Sequence, residues 1–209
     1  MKKLRAYSNA LIELNDEEWH DATKFYKLKH FKKGESIRDA GEVCNQAYYL
    51  SKGSARTYIL THEGKDITLM VHVNKGKHFL EPFLGDFISY ITQSEGEMFC
   101  EALENCSVYT TDYSNIEALY DSDIRWMRVG KLVAEEQIIK LVKRKKWSRL
   151  EAKERYTYIQ KHTPIYEELL PDYHLASLLG ITPQSLSRNK REMKESTAQS
   201  TPKPHQNAI

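Results

Sequence analysis

The sequence predicts an α+β chain: an antiparallel β-roll in the N-terminal half, one long helix after it, and a tight helix–turn–helix near the C-terminus. Three observations predict this. Between Leu28 and Asp112, short runs rich in Tyr, Ile, Val and Thr are punctuated by Gly34, Gly41, Gly53, Gly64, Gly76, Gly85 and Gly96, at a spacing that suits consecutive short strands. From Ser122 to about Lys145 the apolar residues return at helical spacing. Last, "HLASLLGITPQSLSRNKREMKE", His174 to Glu195, holds two short amphipathic patterns hinged at Gly180.

Composition bounds the rest. With 209 residues, 40% hydrophobic and 29% charged, the chain can build the core of one or two domains. It holds no run of 18 apolar residues, and "MKKLRAYSNALIELNDEEW" reaches acidic residues before any apolar stretch long enough for a signal peptide, so neither a membrane span nor export is expected and the expected address is cytoplasmic. Cys44, Cys100 and Cys106 form no C-x-x-C pair and read as reduced structural thiols. A formal net charge of +2 does not by itself call for a polyanionic partner, so the placement of charge must carry that argument.

The first element, over Ser8–Lys27, reads as helix. Asn15 is placed to cap a segment with Glu18 three residues on, and Trp19, Ala22, Thr23 and Tyr26 share a stripe. In the roll, "ARTYILTHEGKDITLMVHV" is the clearest hairpin: His62-Glu63-Gly64-Lys65 supplies the turn, and Ile67, Leu69, Val71 and Val73 are expected on one face of the returning strand. The long helix carries Ile124, Met127, Leu132, Ile138, Leu141 and Val142 on a wide stripe. At about 1.5 Å per residue it spans on the order of 35 Å, more than a small roll can cover, so it packs either across two domains or on a second copy of itself. The expected domains are the roll with its N-terminal helix over 1–120, a dimerisation helix over 121–145, a helix–turn–helix domain over 146–195 and a disordered tail over 196–209.

In the C-terminal motif, Pro171 opens the first helix and Thr182 caps the second, with Pro183 in its first turn, where a missing amide is harmless. Gly180 suits a left-handed backbone position. Ala176 allows close helix approach and Leu186 faces inward. Gln184, Ser185, Arg188 and Arg191 then fall toward the outer face. Gln184 and Arg188 are candidates for reading base edges, because Gln matches adenine and Arg matches guanine bidentately; Ser185, Ser187 and Lys190 suit phosphates. Asn189 stands where an apolar inward residue would be expected, and its amide needs a partner. The basic run "KLVKRKKWSR", Lys140 to Arg149, reads either as a solvated face or as a source of further phosphate contacts.

Taken with "FKKGESIRDAGE" and "AYYLSKGSARTYILTHEGKDITLM", the motif "LASLLGITPQSLSR" makes nearly the whole chain up to Glu195 resemble the Crp/Fnr family of bacterial transcription regulators. The resemblance implies a cyclic-nucleotide-binding-like β-roll of jelly-roll type, a long helix that pairs in a homodimer, a winged helix–turn–helix that binds double-stranded DNA, and a small-molecule effector. It brings RNA polymerase into consideration as a further partner. By position, the family's base-contacting places fall on Pro183, Gln184 and Arg188, with Thr182 beside them. The ligand pocket falls on Gly85, Asp86 and Phe87. The arginine that should hold a cyclic phosphate is missing, however, since no Arg or Lys occurs between Lys77 and Arg125, and Glu95 and Glu97 would repel the anion. This argues against cyclic AMP, and the absence of an N-terminal cysteine cluster argues against an iron–sulfur cofactor.

Two rival readings come from other classes. A metal-dependent roll enzyme would rest on His72, His78 and Glu81, but Gly76 interrupts their strand and no His-x-His supports them. A small-molecule-binding module whose helix–turn–helix serves protein interaction would rest on Asn189 and the modest net charge. No nucleophile elbow or phosphate-cradling loop points to an enzyme.

Overall fold

The computed structural model describes residues 1–199. The chain divides into a first compact unit, Met1–Trp147, and a second that begins at Ser148. The helix expected over Ser8–Lys27 is two helices, α1 (Lys2–Leu11) and α2 (Asp16–Thr23). The break falls before Asn15 because its side chain caps α2: Asn15 Oδ1 accepts from the Glu18 amide and the Glu18 carboxylate accepts from the Asn15 amide, both at 2.9 Å, the reciprocal pair that satisfies free donors at a helix start. Tyr26 lies beyond the end of α2, since the first strand begins at Lys27.

The roll comprises β1 (Lys27–Phe31), β2 (Ser36–Arg38), β3 (Gln46–Leu60), β4 (Asp66–Lys75), β5 (His78–Leu80), β6 (Phe83–Leu84), a short helix α3 (Phe87–Thr92), β7 (Phe99–Ala102) and β8 (Cys106–Asp112). All pairings are antiparallel. The 15-residue β3 organises them: its first half pairs with β8 and β6, its second with β4 and β7. Ile37, Leu50, Ala55, Leu84, Cys100, Ala102, Cys106 and Val108 form a core cluster, with Phe31 and Tyr48 packed against it. A side chain such as Leu50, fully buried there, contributes about 1.5–3 kcal/mol relative to exposure.

The β3–β4 hairpin corrects one expectation. Thr57 pairs with Met70 but Tyr58 pairs with Thr68, so Leu69 is the extra residue of a bulge and the alternation changes phase there. Val71 and Val73 consequently share a face with Thr68, and Ile67 turns to the face of Met70 and His72. Tyr49 and Tyr58 form ring contacts within the roll. Tyr58 stacks on Phe99, its strand partner, at 5.1 Å with the Arg56 guanidinium over its ring, and Tyr49 meets Phe83 edge-on.

After the roll come α4 (Tyr113–Ser122) and α5 (Ile124–Ser148). Asp123 separates them in extended conformation, and its carboxylate accepts from both the backbone amide and Nε of Arg125 at 2.8 Å, anchoring the first turn of the long helix. Trp126 is the one buried residue of α5, whereas Ile124, Met127, Ile138, Ile139, Leu141 and Val142 are each at least half exposed. Leu132, counted in the same stripe, is only partly exposed.

The second unit contains α6 (Ala152–His162), α7 (Ile165–Leu169), α8 (Asp172–Leu179) and α9 (Pro183–Gln199) around Tyr156, Ile159, Ile165, Leu170, Leu175, Leu179 and Leu186. No strand occurs among its described residues, so the wing of a winged helix–turn–helix has no counterpart there. The segment ahead of α8 follows helical rather than alternating periodicity, and a capping box between Glu151 and Glu154 starts α6. The backbone of α9 runs four residues past Glu195, to Gln199; the rest of the expected tail lies outside the described residues. No described helix is long and apolar enough to cross a membrane.

Candidate functional site

Gly180 ends α8 with φ +64°. The Ile181 amide donates to the Ala176 carbonyl at 3.0 Å and the Gly180 amide to the Ser177 carbonyl at 2.9 Å, the pair of reversed bonds that closes a helix through a left-handed residue. Two residues on, Thr182 Oγ1 accepts from the Ser185 amide at 3.1 Å, and Pro183 begins α9. The turn is therefore short and fixed at both ends. Ala176 and Leu186 are fully buried between the helices, as their spacing requires.

The outer face divides the predicted residues. Thr182, Pro183, Gln184, Ser187, Arg188 and Arg191 are exposed. Ser185 is half-buried and receives a hydrogen bond from the Thr182 hydroxyl. Lys190 is tied to Asp172, at the start of α8, at 2.5 Å, so it braces the helix pair in this structure. The first turn of α9 carries no acidic residue, leaving its positive end open to an anion. Asn189 is buried and its Nδ2 has no partner among the described residues. A buried amide without a partner costs about 1–3 kcal/mol, so Asn189→Leu is expected to stabilise the second unit by about 1 kcal/mol, measured as an upward shift in chemical-denaturation midpoint.

Gly85, Asp86 and Phe87 lie together at the start of α3, and the structure brings to them a residue that the sequence reading missed. Asp86 is buried. Its Oδ1 accepts from the Ser89 amide at 3.0 Å, capping α3, and its Oδ2 accepts from the amides of Glu97 and Met98 at 2.9 and 3.1 Å. Arg38, from β2, is also buried; its guanidinium donates to the Met98 carbonyl and, at 2.8 Å, to the Glu42 carbonyl. Nothing in the largely polar stretch "ESIRDAGE" marks Arg38 as buried.

His72 is fully buried, with Nδ1 2.6 Å from the Glu81 carbonyl and Nε2 2.8 Å from the Thr57 hydroxyl. A carbonyl only accepts, so Nδ1 carries the proton, Nε2 accepts from Thr57, and the Thr57 oxygen accepts in turn from the Cys100 thiol at 3.3 Å. Both ring nitrogens are thereby used, which removes His72 from any metal site with His78 and Glu81. Among the described residues no group of three His, Cys, Asp or Glu stands at ligating separation. Glu81 has a left-handed backbone, φ +46°, and its carboxylate meets Lys140 at 3.1 Å and Arg144 at 4.0 Å on α5. Lys140 also holds Glu136, which accepts from the Tyr7 hydroxyl. The roll wall and the long helix are thus joined through one strained residue.

Burial pushes the His72 pKa down to about 4. Its folded value lies below the ordinary value near 6.5, so the unfolded chain takes up the proton first. The stability this neutral imidazole confers is complete above about pH 6.5 and is lost as pH falls toward about 4, by on the order of 3 kcal/mol. The denaturation midpoint of the wild type is expected to fall over that window, and His72→Gln is expected to flatten the fall.

Residues 28–123, from β1 through α4, match the family model of the cyclic nucleotide-binding domain. No curated protein sequence matches the chain. Solved structures do. FixK2 from Bradyrhizobium japonicum is similar at TM-score 0.67 and 17% identity, over 82% of this chain and 86% of that one. The c-di-GMP-responsive global regulator CLP from Xanthomonas campestris is similar at TM-score 0.65 and 12% identity, over 88% and 93%. A protein described as a transcriptional regulator of the Crp/Fnr family from Eubacterium rectale is similar at TM-score 0.66 and 17% identity, over 88% and 85%. The first unit contains a roll of the cyclic nucleotide-binding fold, and the fold of the chain resembles that of these solved structures.

Proposed function

We propose that this chain is a homodimeric, sequence-specific regulator of transcription of the Crp/Fnr type, cytoplasmic and not an enzyme, which reads duplex DNA with α9. The observation that carries the reading is the helix pair hinged at Gly180: its inner side is closed by Ala176, Leu179 and Leu186, while Gln184 and Arg188 stand exposed on the first turns of the second helix. Those turns enter the major groove in helix–turn–helix proteins. Gln184 and Arg188 have the donors and acceptors to discriminate adenine and guanine. Ser187, Arg191 and the open end of α9, with Thr182 and Pro183 close by, suit phosphate contacts, and Lys190 can add one by exchanging Asp172 for a phosphate.

The exposed apolar stripe on α5 supports pairing with a second copy. Ile124 and Met127 are followed 14 residues later, two heptads on, by Ile138 and Leu141 along a 25-residue helix, a spacing that returns both pairs to one seam. A two-fold pair would set its recognition helices about 34 Å apart, so the operator is expected to be an imperfect palindrome with half-sites one turn apart. RNA polymerase is the partner such a regulator would contact. The protein-interaction alternative loses its main motive, because Asn189 is buried rather than displayed.

The test is selection of bound duplexes from a random pool, followed by affinity measurement over a salt series. A palindromic consensus, with affinity falling steeply as salt rises, supports the reading. Binding of every duplex alike, or of none at low salt, would refute it.

A further inference from the structure

The cassette at the start of α3 is already filled by the chain's own charges. Arg38 and Asp86 are both more than nine-tenths buried. The guanidinium is held by two backbone carbonyls, the carboxylate by three backbone amides. They meet beside Gly96, where a Cβ would stand within 3.0 Å of Arg38 Nη2, Asp86 Oδ2 and the Ser89 Cβ together. The absence of a side chain at 96 is what gives the two charges their space.

The same residues close the loops around them. The Gly41 amide donates to the Gly96 carbonyl at 2.8 Å, and the Gly96 amide to the Glu42 carbonyl at 3.0 Å. Ser89 accepts from the Cys44 amide and donates to the Ser94 carbonyl. The segment after β2 is thereby zipped onto the segment before β7, beside Arg38 and Asp86.

We propose that Arg38 and Asp86 form an internal lock that holds this cassette shut, so that the roll works as a fixed structural support and takes no phosphate-bearing effector there. An entering anion would sit against the buried Asp86 carboxylate and could reach the guanidinium only by breaking its two carbonyl bonds, so like-charge repulsion and lost backbone bonds both oppose it. The proposal rests on the regulator reading for its biological meaning and stands apart from it physically.

The test uses the full chain and reads thermal midpoint. Cyclic AMP, cyclic GMP and inorganic phosphate, each at millimolar concentration, are expected to leave the wild-type midpoint unchanged. Arg38→Ala should lower it by several degrees, and ethylguanidinium should recover much of that loss where ethylammonium does not, because only a guanidinium can refill the hole with the same donors. A saturable rise of the wild-type midpoint with any of the three anions would overturn the lock, as would equal effects of the two amines on Arg38→Ala. Should that variant not fold, the wild-type series decides alone. Duplex binding is measured separately with and without cyclic nucleotide: equal affinity supports the lock, nucleotide-dependent affinity overturns it. Failure to bind duplex at all would remove the regulator reading and leave the melting result standing.

Discussion

Arg188→Ala is expected to weaken binding to the selected operator by about 1–3 kcal/mol, a factor of roughly 5 to 150, and to relax preference at one base pair per half-site. The expectation follows from placement. Arg188 is exposed one turn beyond Gln184, on a helix whose register is fixed by Leu186 beneath it and by the Thr182 cap. A guanidinium in that place adds discrimination only if it reaches a base edge, so the loss should be confined to the cognate sequence. Equal losses on cognate and random duplexes would reassign Arg188 to the backbone. Arg191→Ala provides the contrast: it should weaken all duplexes alike and reduce the salt slope by about one.

The larger effect is expected from the long helix. Ile138 is 61% exposed and Leu141 62%, an arrangement that is unfavourable for a lone chain and favourable for a pair. Replacing both with lysine should convert the dimer to a monomer in sedimentation at micromolar concentration and reduce operator affinity by on the order of 100-fold or more, since one half-site then binds without the other. The variant's own fold should survive, because neither side chain is part of the buried core. A wild-type chain that sediments as a monomer would remove the seam, as would a double-lysine variant that remains a dimer.

Most of the architecture was legible in local pattern. Strand-length runs divided by glycine marked the roll, and positive φ at Gly34, Gly41, Gly53, Gly64, Gly76 and Gly85 explains why those positions punctuate it. Gly96 belongs to a different case: its φ is ordinary, and what excludes a side chain is the crowd around it. Two helices stand where the apolar stripe suggests one, because Asn15 both interrupts the first and starts the second. The hairpin face differs from simple alternation because a bulge at Leu69 leaves no mark in the order of apolar residues. The short helix α3 was not foreseen, although Asp86 three residues before Ser89 is a capping signal.

The candidate site divides along the same line. For α8 and α9, sequence alone determined the hinge, the cap, the buried anchors and the exposed Gln184 and Arg188, because each follows from spacing within some twenty residues of one helical hairpin. Tertiary structure decided which partners the side chains meet: Lys190 drawn to Asp172 and the Asn189 amide shut inside where the helices pack, and, between distant segments, His72 wired between Thr57 and Glu81 and Arg38 brought with Asp86 to Gly96 across 48 positions of chain. A helix period specifies which side a residue takes. Which charge it will meet there depends on strands that pair far apart in the sequence, and no local pattern encodes that meeting.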